Sequence, residues 1–220
     1  MRAKSDLLDK IVDLIIVILG ISIAFSLNKC QESQKQSEMT DFYIVNMVQE
    51  LEEDSIGFTY AIKDCRNDLE YLEMFDSLYH ANHPHILDTL ASFVLKVNNF
   101  NHYHINATSY NSIITTGNVS LINDLDLKKA MVSYYEYDGQ IVFGEEVFRD
   151  YLEDLNDFLN DKLLFSKARF TDKNVLEYTE MQNNIMKMAS SIGQKRRIYL
   201  QAQKKRSELK EAILTHQNKD

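Results

Sequence analysis

From Ile11 to Leu27 the chain runs for 17 residues with Asp13 as the one charged interruption. A bilayer core of about 30 Å takes about 20 residues at 1.5 Å each, so this stretch reads as a membrane span at the short limit. Leu7 and Leu8 must join it, while Asp9, Lys10 and Asp13 reach toward one headgroup layer. Beyond it the pattern changes to helical spacing. Between Ser37 and Tyr79 the apolar residues Val45, Val48, Leu51, Ile62, Cys65, Leu69, Leu72, Phe75 and Leu78 recur mostly three or four apart, which predicts a long amphipathic helix leading away from the span. Pro84 is expected to end it and to open a shorter helix over Ile86 to Val97. After the polar loop NNFNHYHIN, a short helix is expected around Thr108 to Thr116, stopped by Gly117 in a left-handed cap, with Asn123 or Asp124 capping the next start.

Downstream of Gly144, Phe148, Leu152, Leu155, Leu159 and Leu163 form an apolar stripe opposite Glu146, Asp150, Asp154, Asp157 and Asp161. A break at Ser166 to Asp172 precedes a last helix with Val175, Tyr178, Met181, Ile185, Met188, Ile192, Tyr199, Ala202, Leu209 and Ile213 on its inner face. The expected fold is therefore all-α: an N-terminal transmembrane helix followed by an antiparallel bundle of about four to five long helices. Residues 1–10 are assigned to a cytoplasmic N-terminus, 11–28 to the anchor and 29–220 to one extracytoplasmic helical domain.

Composition agrees with this and narrows the classes. Six glycines and one proline leave little material for the turns of an all-β fold, and 45% hydrophobic with 26% charged residues excludes wholesale disorder. A net charge of −9 excludes the basic footprint of a general nucleic-acid binder.

The apolar segment has three readings. Lipidation at Cys30 is disfavoured because Lys29 stands where a small residue is required. Ser22-Ile23-Ala24 satisfies a small-x-small cleavage rule, but cutting there leaves a short apolar core. Retention is preferred, and Arg2, Lys4 and Lys10 ahead of the segment against Lys29 and Lys35 after it set the N-terminus on the cytoplasmic side. Gly20 and Ala24 have the small-xxx-small spacing that lets two helix backbones approach in lipid, and Asp13 lies near the same stripe, so self-association through this face is expected. An acid there could also serve ion coupling, although its place at the end of the span favours reaching to the headgroups.

Charge is unevenly shared. Ser37 to Tyr79 holds eleven acids against Lys63 and Arg66, whereas Lys195, Arg196, Arg197, Lys204, Lys205, Arg206 and Lys210 of the last helix meet only Glu208 across the stretch they span. The two suit each other as antiparallel neighbours; the alternative is a basic patch for anionic lipid headgroups or an acidic partner.

Two stretches also resemble a known family. The anchor IVDLIIVILGISIAFSLNKCQE carries Asp13, Gly20, Ala24 and Asn28, and SYNSIITTGNVSLINDLDLKKAMVSYYEY carries Tyr110, Thr116, Gly117, Leu121, Ile122, Tyr134 and Tyr135. Together these are similar to an uncharacterised family of small single-pass membrane proteins typical of Bacteroidota. Cys30 departs from the pattern, standing where a tryptophan is usual. The resemblance implies a retained inner-membrane anchor with a helical periplasmic domain and assigns no activity. Read physically, the second motif is a packing knuckle: a short helix, a glycine stop, and Leu121 and Ile122 turned into the bundle.

Chemistry-bearing patterns are few. His80, His83, His85, His102 and His104 crowd one region and invite a metal reading, but a helix over Ile86 to Val97 would part the two groups by about 18 Å. Polar loop histidines are the preferred reading, and no cofactor is expected. The sequence contains no G-x-S-x-G, P-loop, G-x-G-x-x-G or H-E-x-x-H. Cys30 and Cys65 would lie about 50 Å apart on one helix, too far for a disulfide between them, whereas Cys30 could bridge two copies. The leading expectation is a non-enzymatic scaffold or accessory subunit of an envelope complex, with membrane lipid, a second copy or an envelope protein as partners and no nucleic acid. The alternatives are a periplasmic ligand-sensing module and a stator-like ion-coupled subunit using Asp13.

Overall fold

The computed structural model describes the backbone of residues 2–99 and 102–218, with the side chains of the first helix from Ile15 onward. That helix, α1 (Arg2–His80), is 79 residues long, about 120 Å at 1.5 Å per residue. From Ile15 it is apolar and long enough to cross a membrane, and none of that apolar stretch is buried against the rest of the chain. α1 ends at His80, four residues before Pro84, and Asn82 takes a left-handed conformation (φ 49°). Its N–H donates to the Tyr79 carbonyl at 3.1 Å and that of His83 to the Leu78 carbonyl at 3.0 Å, the paired bonds of a Schellman cap. Asparagine tolerates that conformation better than other residues with a Cβ.

Five further α-helices follow among the described residues: α2 (Ile86–Val97), α3 (Thr108–Thr115), α4 (Leu125–Tyr135), α5 (Asp138–Leu159) and α6 (Thr179–Gln217). α6 is the central element. It runs antiparallel to α1, so that Lys210 meets Glu52 near its C-terminal end and Arg206 reaches the Leu51 carbonyl. On its other side α4 and α5 follow one another along it, marked by Lys205 on Ser133, Tyr199 on Glu145 and Lys187 on Asp154. Between α5 and α6 a two-stranded hairpin, β1 (Leu163–Leu164) and β2 (Arg169–Phe170), pairs Leu163 with Phe170 and turns through Ala168 in a left-handed conformation. The architecture is the expected all-α bundle behind one long apolar N-terminal helix.

The core follows the spacing of apolar residues in most places. Phe148, Leu152, Leu155 and Leu159 of α5 are buried, and the opposing acids Glu146, Asp150, Asp154 and Asp157 are exposed. Two details differ. On α1 the inward residues are Ile44, Met47, Leu51 and Phe58, while Val45 points to solvent, because the packed face is set by α6 and α3 rather than by the count of apolar residues. Val175 and Tyr178 precede α6 rather than lying on it.

Candidate functional site

The segment joining α2 to α3, of which residues 102–107 are described, has no regular structure, yet it crosses the interior face of the bundle. Its backbone N–H groups need partners there, since a buried orphan donor costs about as much as a lost hydrogen bond. Carboxylates supply them. Asn106 N donates to Asp54 Oδ1 at 3.1 Å, Tyr103 N to Glu145 Oε1 at 3.2 Å and Ile105 N to Asp138 Oδ1 at 2.9 Å. Ser109, in the first turn of α3, donates both its N–H (2.9 Å) and its hydroxyl (2.7 Å) to Glu50 Oε1. Asp54 and Glu145, both buried, and the half-buried Asp138 thus tie down the irregular strap, and the buried Glu50 holds the first turn of α3.

Tyrosines complete the network. Asp54, with no solvent exposure, also accepts from the hydroxyls of Tyr103 (2.9 Å) and Tyr134. Glu145 accepts from the Tyr199 hydroxyl and is hydrogen-bonded to His102 Nδ1, with His104 Nε2 at 3.7 Å. The Tyr103 ring lies edge-on to Phe58 and fills the place where a side chain on residue 57 would be, so Gly57 is required by this close approach. Tyr110 stacks on Tyr135 with ring centroids 4.4 Å apart.

Electrostatics separate the acids. Burial pushes the Asp54 carboxyl above its ordinary value, against the pull of Tyr134, Asn106 and Tyr103. Burial likewise raises Glu50, only partly offset by Ser109. At Glu145 burial acts in the same direction but is outweighed by the bonds from Tyr199, His102 and Tyr103, and the group ends below its ordinary value. Burial and the neighbouring carboxylates raise Tyr103, Tyr134 and Tyr199, which therefore stay protonated and act as donors. Glu50 Oε2 and the Tyr135 hydroxyl are buried without a hydrogen-bond partner.

Beside Tyr199 a cavity of about 180 Å³ opens between α1, α2, α5 and α6, lined among others by Cys65, Asp68, Lys96 and Lys195. Lys96 pairs with Asp68 at 2.7 Å, and the Lys195 ammonium lies 4.3 Å from the centre of the Phe148 ring. Burial pushes Lys195 down, opposed by negative charge at Glu145 and Asp68. The Cys65 thiol is pushed up to about 11 by burial, so it is not a thiolate nucleophile at neutral pH. Most donors and acceptors of the site pair with one another, an arrangement that fixes the strap against α1 and α5.

The residues singled out in the sequence are dispersed. Lys195 and Arg206 are buried, Lys205 lies against Ser133 and the Tyr137 ring, and Arg197 and Lys204 face solvent. The basic cluster is therefore no continuous surface, because α6 is packed on two sides. Its pairing with the acidic helix is visible at Lys210 and Glu52. His102 and His104 join the buried network, while His80, His83 and His85 lie beyond α2, with His85 3.3 Å from Asp88. Among the described residues no group of three or more His, Cys, Asp and Glu side chains is placed to hold a metal ion. Gly117 is left-handed (φ 73°), Ile122 is fully buried and Leu121 half-buried, and Tyr134 and Tyr135 are buried. Gly20 and Ala24 are exposed on α1, and the Asp13 side chain lies outside the described residues. Glu50, Asp54 and Glu145 carried no signal of their own; the clue was an irregular, glycine-free loop that had to find partners for its backbone.

A profile of DUF6090, a family of unknown function, matches residues 13–190. The chain belongs to that family. The matched region contains the apolar stretch of α1, the strap and the carboxylates Glu50, Asp54, Asp138 and Glu145, and it ends before Lys195 and Tyr199. Neither the curated proteins nor the solved structures contain a match to this chain.

Proposed function

We propose that this protein is a membrane-anchored, non-enzymatic helical scaffold, an accessory subunit of a bacterial envelope complex. α1 crosses the inner membrane with its N-terminus in the cytoplasm, and residues from 29 onward stand in the periplasm. The observation that carries this reading is the continuity of α1 from the apolar segment into the core. The same helix supplies Ile15 to Leu27 at one end and the buried Met47, Leu51, Asp54 and Phe58 at the other. A domain held this way presents an oriented surface above a bilayer, and most polar groups of the strap network are spent on internal bonds. The test is gentle extraction of the full-length protein from native membranes, followed by mass determination and identification of co-purifying chains. A complex with a second kind of chain in fixed stoichiometry is expected; a chain that elutes by itself, as monomer or homodimer, overturns the subunit reading. A ligand-sensing role is the second reading, favoured by the cavity at Lys96 and Lys195.

A further inference from the structure

The face of α1 opposite the core is uncovered, and it is not uniformly polar. Phe42, Val45, Ile56 and Tyr60 are each more than half exposed, although the other side of the same helix is built into the core. Their spacing places them on one line: Phe42, Gln49 and Ile56 follow at intervals of seven, and Val45 and Tyr60 flank them. Carried down the helix at 3.6 residues per turn, this line enters the apolar segment at its small residues. Gly20 lies about ten turns before Ile56, and Ala24 about five turns before Phe42 and ten before Tyr60. Between the two patches, residues 29–38 are exposed on every side, and an isolated helix of that length is marginal by itself in water.

We infer that this face is the seam of a parallel homodimer, in which two copies pack α1 against α1 from Gly20 through Tyr60. The inference rests on the reading that α1 crosses a membrane, which forces two copies to run parallel. The charges beside the line suit a second copy of the same chain. Lys35, seven residues before Phe42, and Glu38, seven after Gln31, stand on the line one turn apart, so in a parallel pair each Lys35 meets the other copy's Glu38, while Lys63 and Asp64 lie on opposite flanks and meet across the two-fold axis. Two acids beside the line are drawn aside: Glu52 pairs with Lys210, and Glu53 accepts from Asn106 at 3.3 Å. Small residues meet in the lipid, uncharged Gln31 and Gln49 stand on the line above it, and apolar side chains meet beside the domain.

The experiment is a cysteine scan of the exposed stalk in full-length protein in native membranes, on a Cys30→Ser background, with mild oxidation and an alkaline carbonate wash on the same samples. Gln31→Cys and Glu38→Cys lie on the seam; Ser33→Cys and Gln36→Cys lie on the far side. The seam variants are expected to form a disulfide-linked species of twice the chain mass at least threefold more than the far-side variants. Adding Phe42→Glu and Ile56→Glu to Gln31→Cys is expected to reduce that yield several-fold while the protein stays in the membrane. Equal cross-linking at all four positions, no cross-linking, or an adduct of another mass in washed membranes overturns the seam and leaves the anchor standing. Release of the protein by the wash overturns the anchor and the seam together.

Discussion

Three donors converge on Asp54, and two of them are tyrosine hydroxyls fixed by other elements. Removing one leaves a buried acceptor short of a partner, which costs about 1–3 kcal/mol. Tyr134→Phe is therefore expected to lower stability by about that amount in urea unfolding of the domain. Glu145 differs in its pH behaviour. Its folded-state value lies below 4.5, so at acid pH the unfolded chain binds more protons than the native one, and the stabilisation from Glu145 is lost as pH falls below 4.5 through the folded value. Asp54 and Glu50 are raised and act in the opposite sense, since protonation relieves the penalty of burying their charge. The gap in urea midpoint between wild type and Glu145→Gln should thus shrink as pH is lowered below 4.5. Gly57 gives a third residue-scale outcome. In Gly57→Ala the new methyl group meets the Tyr103 ring, an overpacking cost of about 1–3 kcal/mol. That cost should be largely absent in a Tyr103→Ala background, so the two substitutions are expected to be non-additive in the same assay.

At the scale of elements, helix ends decide where the chain turns. α4 begins at Asp124, whose carboxylate accepts from Asp126 N at 3.0 Å and Leu127 N at 3.1 Å and lies 3.8 Å from His216 of α6. Asp124→Ala should cost about 0.5–2 kcal/mol, and the loss should be visible as faster amide exchange in the first turn of α4 before it spreads to the core. The Schellman cap at Asn82 shows how much of an end can be read locally. Pro84 was the visible stop, but the residue that terminates α1 is the asparagine two positions earlier, because a left-handed residue satisfies two carbonyls that proline only leaves behind. Val45 shows the converse. Its spacing fits an inner stripe as well as that of Val48, and which face is inner depends on where α6 and α3 lie.

For the whole molecule, α1 runs unbroken from the apolar segment into the domain. The full-length protein is expected to stay in the membrane pellet after an alkaline carbonate wash, and a chain starting at residue 29 to be released from it. Retention of the shortened chain would show that the domain itself holds the bilayer and that the apolar segment is not needed for it.

The helical class, the positions of α2 and α3, the acidic outer face of α5 and the apolar N-terminal stretch were legible from residue order, because helix periodicity, caps and apolar runs are local properties. The buried network was not. Nothing near Glu50, Asp54 or Glu145 in the sequence separates them from the exposed Glu52, Glu53 and Glu146, and the difference is made by strap and tyrosine donors 42 to 80 residues away in the chain. The basic cluster of α6 likewise divides into buried Lys195 and Arg206 and exposed Arg197 and Lys204 only once α1, α4 and α5 have packed around it. Local spacing chooses the elements; which of their charges must find a partner is decided by what the folded chain lays against them.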